Sequence, residues 1–425
     1  MDKRAWLALL LIGSGNAAIA QTTSARPPSF GSAGRPNAVP TRHIGIDAAV
    51  NATYDTNIFG INESAIPGFR KADDVSISPS IQLNIEVPLG RQSVFARGGI
   101  GYDFYLKNTQ KNRERINLTA GANLQIVNGC AETITGNYLR QQSNPGDIFF
   151  SPAGLSDADL RSFNNNTEEF KSIGLDAVCG GAIGLTPGFG YTHSETRNTS
   201  RFYKFNDSNQ DAVNGSIGYS RPSLGRLSIY GSYAHGDYPN RTDSFKSYSV
   251  GGQIQRSIGR RITGSASLGY TWVNPKGSAD PLTGKERPFR GSSYSLSLNV
   301  IPTDRLSVDL LASRSADVTS SVFSTFSITD VYSLNSTYRM NNRIDLNAGV
   351  SYQKRDYRLT VKSLDLSATL SNDKFTRAYG GFVYNLNRRI RLNGLVSQQW
   401  RRSDNPLFRY SNTTASLGMS FSLSR

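Results

Sequence analysis

A short basic turn followed by a two-residue beat recurs along this chain and constrains its fold more than any other feature. Five copies read Arg226-Leu-Ser-Ile229, Arg261-Ile-Thr-Gly264, Arg305-Leu-Ser-Val308, Arg343-Ile-Asp-Leu346 and Arg389-Ile-Arg-Leu392, with a looser one at Arg91-Gln-Ser-Val94. Each follows a turn-forming string, among them Pro88-Leu-Gly90, Pro302-Thr-Asp304, Asn341-Asn342 and Asn387-Arg388. The stretches on either side alternate apolar and polar for roughly ten residues, the length and period of a strand that crosses an outer membrane. The chain therefore reads as all-β, an antiparallel transmembrane β-barrel of about 18 strands, with 16–18 compatible with the pattern.

Residues 1–20 stand apart from this pattern. Lys3 and Arg4, an apolar core from Ala5 to Gly13 and the Ala18-Ile-Ala20 site before Gln21 form a secretory signal peptide cleaved between Ala20 and Gln21. Residues 21–42, with Pro27, Pro28, Pro36 and Pro40, are too poor in apolar side chains to fold alone and read as a periplasmic linker. The barrel occupies 43–425. These features place the mature chain in the outer membrane of a Gram-negative cell.

A mean hydropathy of −0.40 suits such a barrel, because lipid meets only every second side chain. The net charge of +15 invites a nucleic-acid reading, but the cations are dispersed along strands and turns. Outer-membrane lipid and lipopolysaccharide, the barrel-assembly machinery and a hydrophilic solute or polysaccharide are the expected partners, with no nucleic acid and no cofactor.

The expected strands are 43–57, 74–87, 92–106, 114–127, 130–142, 168–179, 182–195, 211–221 and 226–238, then 245–257, 261–273, 291–301, 305–316, 325–339, 343–356, 377–387, 389–402 and 409–423. Long connections at 58–73, 143–167, 196–210, 274–290 and 357–376 belong outside the cell, and the short turns on the periplasmic side. Segment 358–371 also alternates and is read as a hairpin arm of the last long loop. Tyr191, Tyr233, Tyr270, Trp272, Tyr352 and Trp400 fall near loop-side strand ends, as an interfacial aromatic girdle requires. Ser416, Gly418, Phe421 and Leu423 fit the C-terminal assembly signal of outer-membrane barrels, although Ser424-Arg425 replace a terminal aromatic.

Three motifs carry a family resemblance: Tyr54-Asp-Thr-Asn-Ile-Phe59, Asp73-Asp74 with Ser78-Pro79, and Gly380-Gly-Phe-Val-Tyr384 before Asn387-Arg388. The chain resembles, over 43–423, the outer-membrane β-barrel porin family (porin type 2) often linked to exopolysaccharide loci. That resemblance implies an outer-membrane barrel and suggests polysaccharide biosynthesis or export, and it supplies no catalytic residues.

Cys130 begins one strand and Cys179 ends the next, so an oxidising periplasm would join them in a structural disulfide. His193 with Glu195, and His235 with Asp237, raise the alternative of a metal site or a barrel enzyme acting on lipid or peptide at the outer rim. Parity puts both histidines on the outward face, where girdle residues account for them, and the chain is read as non-enzymatic. By the same parity Asp47, Glu86, Arg97, Asp103, Arg115, Asp309, Asp345, Arg355, Arg391 and Arg401 point into the lumen. The expected function is a porin-like channel for hydrophilic solutes, saccharides among them. The alternative is an accessory component of exopolysaccharide biosynthesis or export.

Overall fold

A computed structural model describes residues 42–62, 64, 73–125, 129–143, 166–181, 183–277, 288–318, 324–359 and 372–424. The signal peptide with its Ala20–Gln21 site, the linker apart from Arg42, residues 144–165 of loop 143–167, and residues 360–371 of the segment read as a hairpin arm lie outside the described residues.

Strands β1 (His43–Asp55), β2 (Asp74–Leu89), β3 (Gln92–Tyr105), β4 (Arg113–Leu124), β5 (Cys130–Gln142) and β6 (Thr167–Cys179) form the first third of the wall. The second third is β7 (Gly184–Asn198), β8 (Ser208–Arg221), β9 (Gly225–Asp237), β10 (Ser244–Ile258), β11 (Ile262–Lys276) and β12 (Phe289–Thr303). The last is β13 (Leu306–Val318), β14 (Ser324–Arg339), β15 (Ile344–Leu359), β16 (Asn372–Asn385), β17 (Ile390–Ser403) and β18 (Tyr410–Ser424). Each strand pairs antiparallel with its neighbour in sequence, and β1 pairs with β18, so the 18-stranded sheet closes on itself. An even strand number returns the end of β18 to the short-turn rim where β1 begins.

The recurring basic turns have a local cause. Asn341 Oδ1 accepts the Arg343 and Ile344 amides at 2.8 and 2.9 Å, and Asn387 Oδ1 accepts those of Arg389 and Ile390 at the same distances. Thr303 Oγ1 does the same for Arg305 and Leu306. These are side-chain-closed turns that set the direction of the returning strand. Elsewhere Gly90, Gly225 and Gly259 take positive φ to make the reversal. The arginine after each turn also joins the next hairpin. The carbonyls of Arg261, Arg305, Arg343 and Arg389 accept the amides of Ile301, Arg339, Asn385 and Ser422, each at 2.7 Å.

Alternation separates two faces. Ile81, Ile100, Leu268 and Leu417 are 60–68% exposed on the outside, where hydrocarbon rather than water is their solvent. The strands run 12–16 residues, beyond the roughly 9–11 needed to cross hydrocarbon. The surplus carries the wall above an aromatic girdle that contains the six expected rings and also Tyr248, Tyr294 and Tyr332. Ring centroids lie 5.2 Å apart for Tyr233–Tyr248 and 4.9 Å for Tyr270–Trp272. Within the last strand, a Cβ on Gly418 would lie 1.9 Å from Asn51 Oδ1 and 2.8 Å from Asn393 Oδ1. Glycine at that point of the C-terminal motif lets two lumen amides lie over the backbone.

Most strand limits fall within three residues of the expected ones, but β16 begins five earlier, at Asn372. Its first residues, at the loop-side end, are charged or amide-bearing and show no apolar alternation. They are strand because the backbone ladder to β17 continues through them, with Asp373 opposite Ser403 and its carboxylate reaching the Arg401 guanidinium diagonally. Phe326, Ile328 and Ala316 carry the parity of lipid-facing residues, yet are 1%, 4% and 5% exposed. Above the girdle the β13–β14 ribbon packs them against Phe245 and Val273 of β10 and β11, an apolar cluster at the mouth.

Candidate functional site

The lumen wall is built from cross-strand polar pairs. Arg97 Nη2 lies 3.3 Å from Glu86, Arg115 Nη1 3.9 Å from Asp103, and Arg391 Nη2 3.6 Å from Asp47. Asp345 meets Arg339 at 3.7 Å, and Asp309 accepts the Asn299 amide at 2.7 Å. Six of the ten expected lumen residues therefore pair with one another, because opposite charges on adjacent strands sit within reach. Between them run hydroxyl and amide ladders: Thr119–Asn137–Ser172, Ser249–Thr271–Ser293 and Thr337–Asn347. Aromatic rings lie along this polar wall. Arg97 stacks over Phe95 at 5.4 Å, and the Tyr379 hydroxyl donates to Asn335 at 2.8 Å. Tyr230 lies over Gly251 and Gly269, where a Cβ would come within 2.6 Å of its hydroxyl.

At the loop-side mouth the remaining two lumen arginines are structural. Arg401 and Asp373 are fully buried, joined by Nε–Oδ1 at 3.0 Å and Nη2–Oδ2 at 2.5 Å. Phe375 and Phe408 flank the guanidinium at 4.6 and 4.8 Å. Arg355, its guanidinium 5.3 Å from the Phe375 ring centroid, is also buried. Asp74 is 1% exposed and accepts the amides of Val75, Lys107 and Asn108, tying the β3–β4 loop to β2. Asn166 donates to Ser143 and Asn198, and Asn198 to Asp207, fixing the rims of two more loops. Hydropathy alternation carries no signal for these buried polar groups, and Asp373, Asp74 and Asn166 were not among the expected site residues. The Asp–Arg register at strand ends is the signal that would have found the first.

Lys111 closes this region. It sits in a single 3₁₀ turn, Thr109–Lys111, 2% exposed, with Nζ donating to the Ile58 carbonyl at 2.7 Å and lying 4.5 Å over the Phe59 ring. Burial pushes its pKa down to about 7 from an ordinary 10.5. The unfolded chain then holds a proton that the folded loops release, so stability rises between about pH 7 and 10.5 and is flat below. Urea unfolding in vesicles is expected to show a gain of about 1–2 kcal/mol from pH 7 to pH 10, limited by local opening of the two loops. Lys111→Met should remove that increment, and an undiminished rise in the variant would contradict the assignment.

Both histidines lie on the outer wall. His193 Nδ1 is 2.9 Å from Asp211 and Nε2 3.4 Å from Glu195, while Tyr191 donates to the same Asp211 at 2.9 Å. His235 Nδ1 meets the Phe245 carbonyl at 3.1 Å, and the register sets Asp211 between His193 and His235 on adjacent strands. Among the described residues no group of three or more His, Cys, Asp or Glu is arranged to hold a metal ion. Cys130 and Cys179 are directly opposite in the β5–β6 register and joined by a disulfide at the short-turn rim.

A closed 18-stranded antiparallel barrel with an apolar outside and a polar inside defines the class: a porin-like outer-membrane β-barrel. Residues 232–423, from β9 to the end of β18, match the family described as "Putative beta-barrel porin 2", which bears out the porin resemblance read from the sequence. Among solved structures, OccAB3 of Acinetobacter baumannii is 14% identical, with 90% of this chain and 99% of that one covered at a TM-score of 0.45. A BenF-like porin from Pseudomonas fluorescens Pf-5 is 11% identical, with 90% and 99% covered at 0.46. OccK2 (OpdF) of Pseudomonas aeruginosa, solved with glucuronate, is 11% identical, with 90% and 98% covered at 0.45. No curated protein matches the chain.

Proposed function

We propose that the barrel is a diffusion channel for small hydrophilic solutes, with saccharides the favoured class, and that it carries no chemical step. The observation that supports this best is the lumen wall itself. Hydroxyl and amide ladders offer exchangeable hydrogen bonds, and the half-buried faces of Phe95 and Tyr379 offer surfaces on which the CH face of a sugar ring can rest. Barrels of this strand number leave an aqueous channel unless plugged. A role beside an exopolysaccharide exporter rests on the family resemblance and would use the same lumen.

Single-channel recording of the refolded full chain in a planar bilayer tests the reading. A steady conductance with weak ion selectivity is expected, since the Arg97–Glu86, Arg115–Asp103 and Arg391–Asp47 pairs balance along the wall. Arg97→Gln with Arg115→Gln should shift the channel towards cations, and linear saccharides should block it reversibly. A folded barrel without conductance would overturn the channel reading.

A further inference from the structure

Above the girdle the outer wall carries a row of charges that a channel does not use. At one height on five adjacent strands, Arg314, Asp330, Lys354, Lys374 and Arg402 are successive cross-strand partners. The row begins in balance: Arg314 holds Asp330 through Nε at 2.6 Å and Nη2 at 2.9 Å, and Lys354 reaches Asp356 at 2.9 Å. It ends in three cations side by side, with Lys354 opposite Lys374 and Lys374 opposite Arg402. Like charges directly opposite one another on neighbouring strands repel. Lys374 and Arg402 are both exposed and, among the described residues, neither has a carboxylate partner. The carboxylates one step above are turned elsewhere, since Asp356 accepts the Asn372 side-chain amide at 2.6 Å and Asp404 the Asn372 backbone amide at 3.0 Å.

Layering below the row fixes its depth. Val350, Ala378 and Gln398 share one level, and Tyr352, Thr376 and Trp400 the next, immediately beneath the cations. Trp400 is 42% exposed on the lipid side, where an indole marks the boundary between acyl chains and headgroups. Lys374 and Arg402 therefore stand at the height of the outer-leaflet headgroups, facing away from the lumen.

We infer that the outer wall of β15–β17 binds the phosphorylated headgroup of an outer-leaflet glycolipid, with Lys374 and Arg402 contacting its phosphate and Trp400 its acyl–headgroup boundary. An anion of fixed charge at this place relieves the repulsion and accepts directional N–H donors from the guanidinium. The site is independent of solute passage and rests only on the outward orientation of this face.

Native mass spectrometry of the refolded full chain, titrated with bisphosphorylated lipid A or its fully dephosphorylated counterpart, tests the inference. The wild-type barrel should retain the phosphorylated lipid at least about tenfold more tightly. Lys374→Gln with Arg402→Gln should abolish that preference, and Lys246→Gln, an exposed outward cation on β10, should leave it intact. Equal retention of the two lipids by the wild-type chain would overturn the site without recourse to any variant, as would an undiminished preference in a double variant that still runs as a folded, heat-modifiable barrel. Conductance recorded on the same preparations separates failure of this site from failure of the channel.

Discussion

Asp373→Ala is expected to lower the unfolding free energy of the barrel by about 3–5 kcal/mol, the largest effect of any single substitution considered. The change leaves the Arg401 guanidinium buried between Phe375 and Phe408 without its bidentate partner. The loss comes from the stranded charge, since a buried ion pair contributes little net stability over a packed apolar pair. Asp373→Leu combined with Arg401→Met should therefore recover most of it. Urea midpoints in lipid vesicles measure both, and a double variant as weak as Asp373→Ala would show that packing at the mouth, not charge, sets the cost.

Cys130→Ser with Cys179→Ser should cost about 2–4 kcal/mol. The bridge spans 49 residues of sequence, and cross-linking a segment of that length removes conformational freedom from the unfolded chain. Reductant should reproduce the loss in the wild-type protein and do nothing to the double variant. Strand pairing between β5 and β6 already fixes the ends in the native barrel, so conductance should not change.

Much of this architecture was legible in the amino-acid order because it is repetitive physics. Period-two alternation marks strands that separate lipid from water, and Asn341, Asn387 and Thr303 mark turns by the hydrogen bonds their side chains can accept. Parity then placed Asp47, Glu86, Arg97, Asp103, Arg115 and Arg391 together on the wall, where they pair. Parity weakens above the membrane, where no solvent contrast enforces it. There Phe326 and Ile328 turn their nominally outward face into a core, and Lys111, in a loop, is buried by tertiary contacts with Ile58 and Phe59. The partner of Arg401 was hidden because Asp373 sits at a strand start without apolar neighbours to announce it.

The joint between β1 and β18 differs in kind from the other seventeen. Every other pairing ties a strand to its sequence neighbour, and the arginine carbonyls after the turns extend several of these bonds from hairpin to hairpin. Until the ends meet, the chain is an open ribbon assembled from local contacts. The closing step brings together groups 375 residues apart, as where Ser422 donates to Asp47, and a loop of that length carries an entropic cost of roughly 5 kcal/mol. The joint is correspondingly well fastened on its polar side, by Arg391 at Asp47, Thr56 at Asn412 and Asn62 at the Pro406 carbonyl. Alternation confines the closing register to those that keep apolar side chains towards lipid, and these polar contacts, in the lumen and at the mouth, favour one alignment among them.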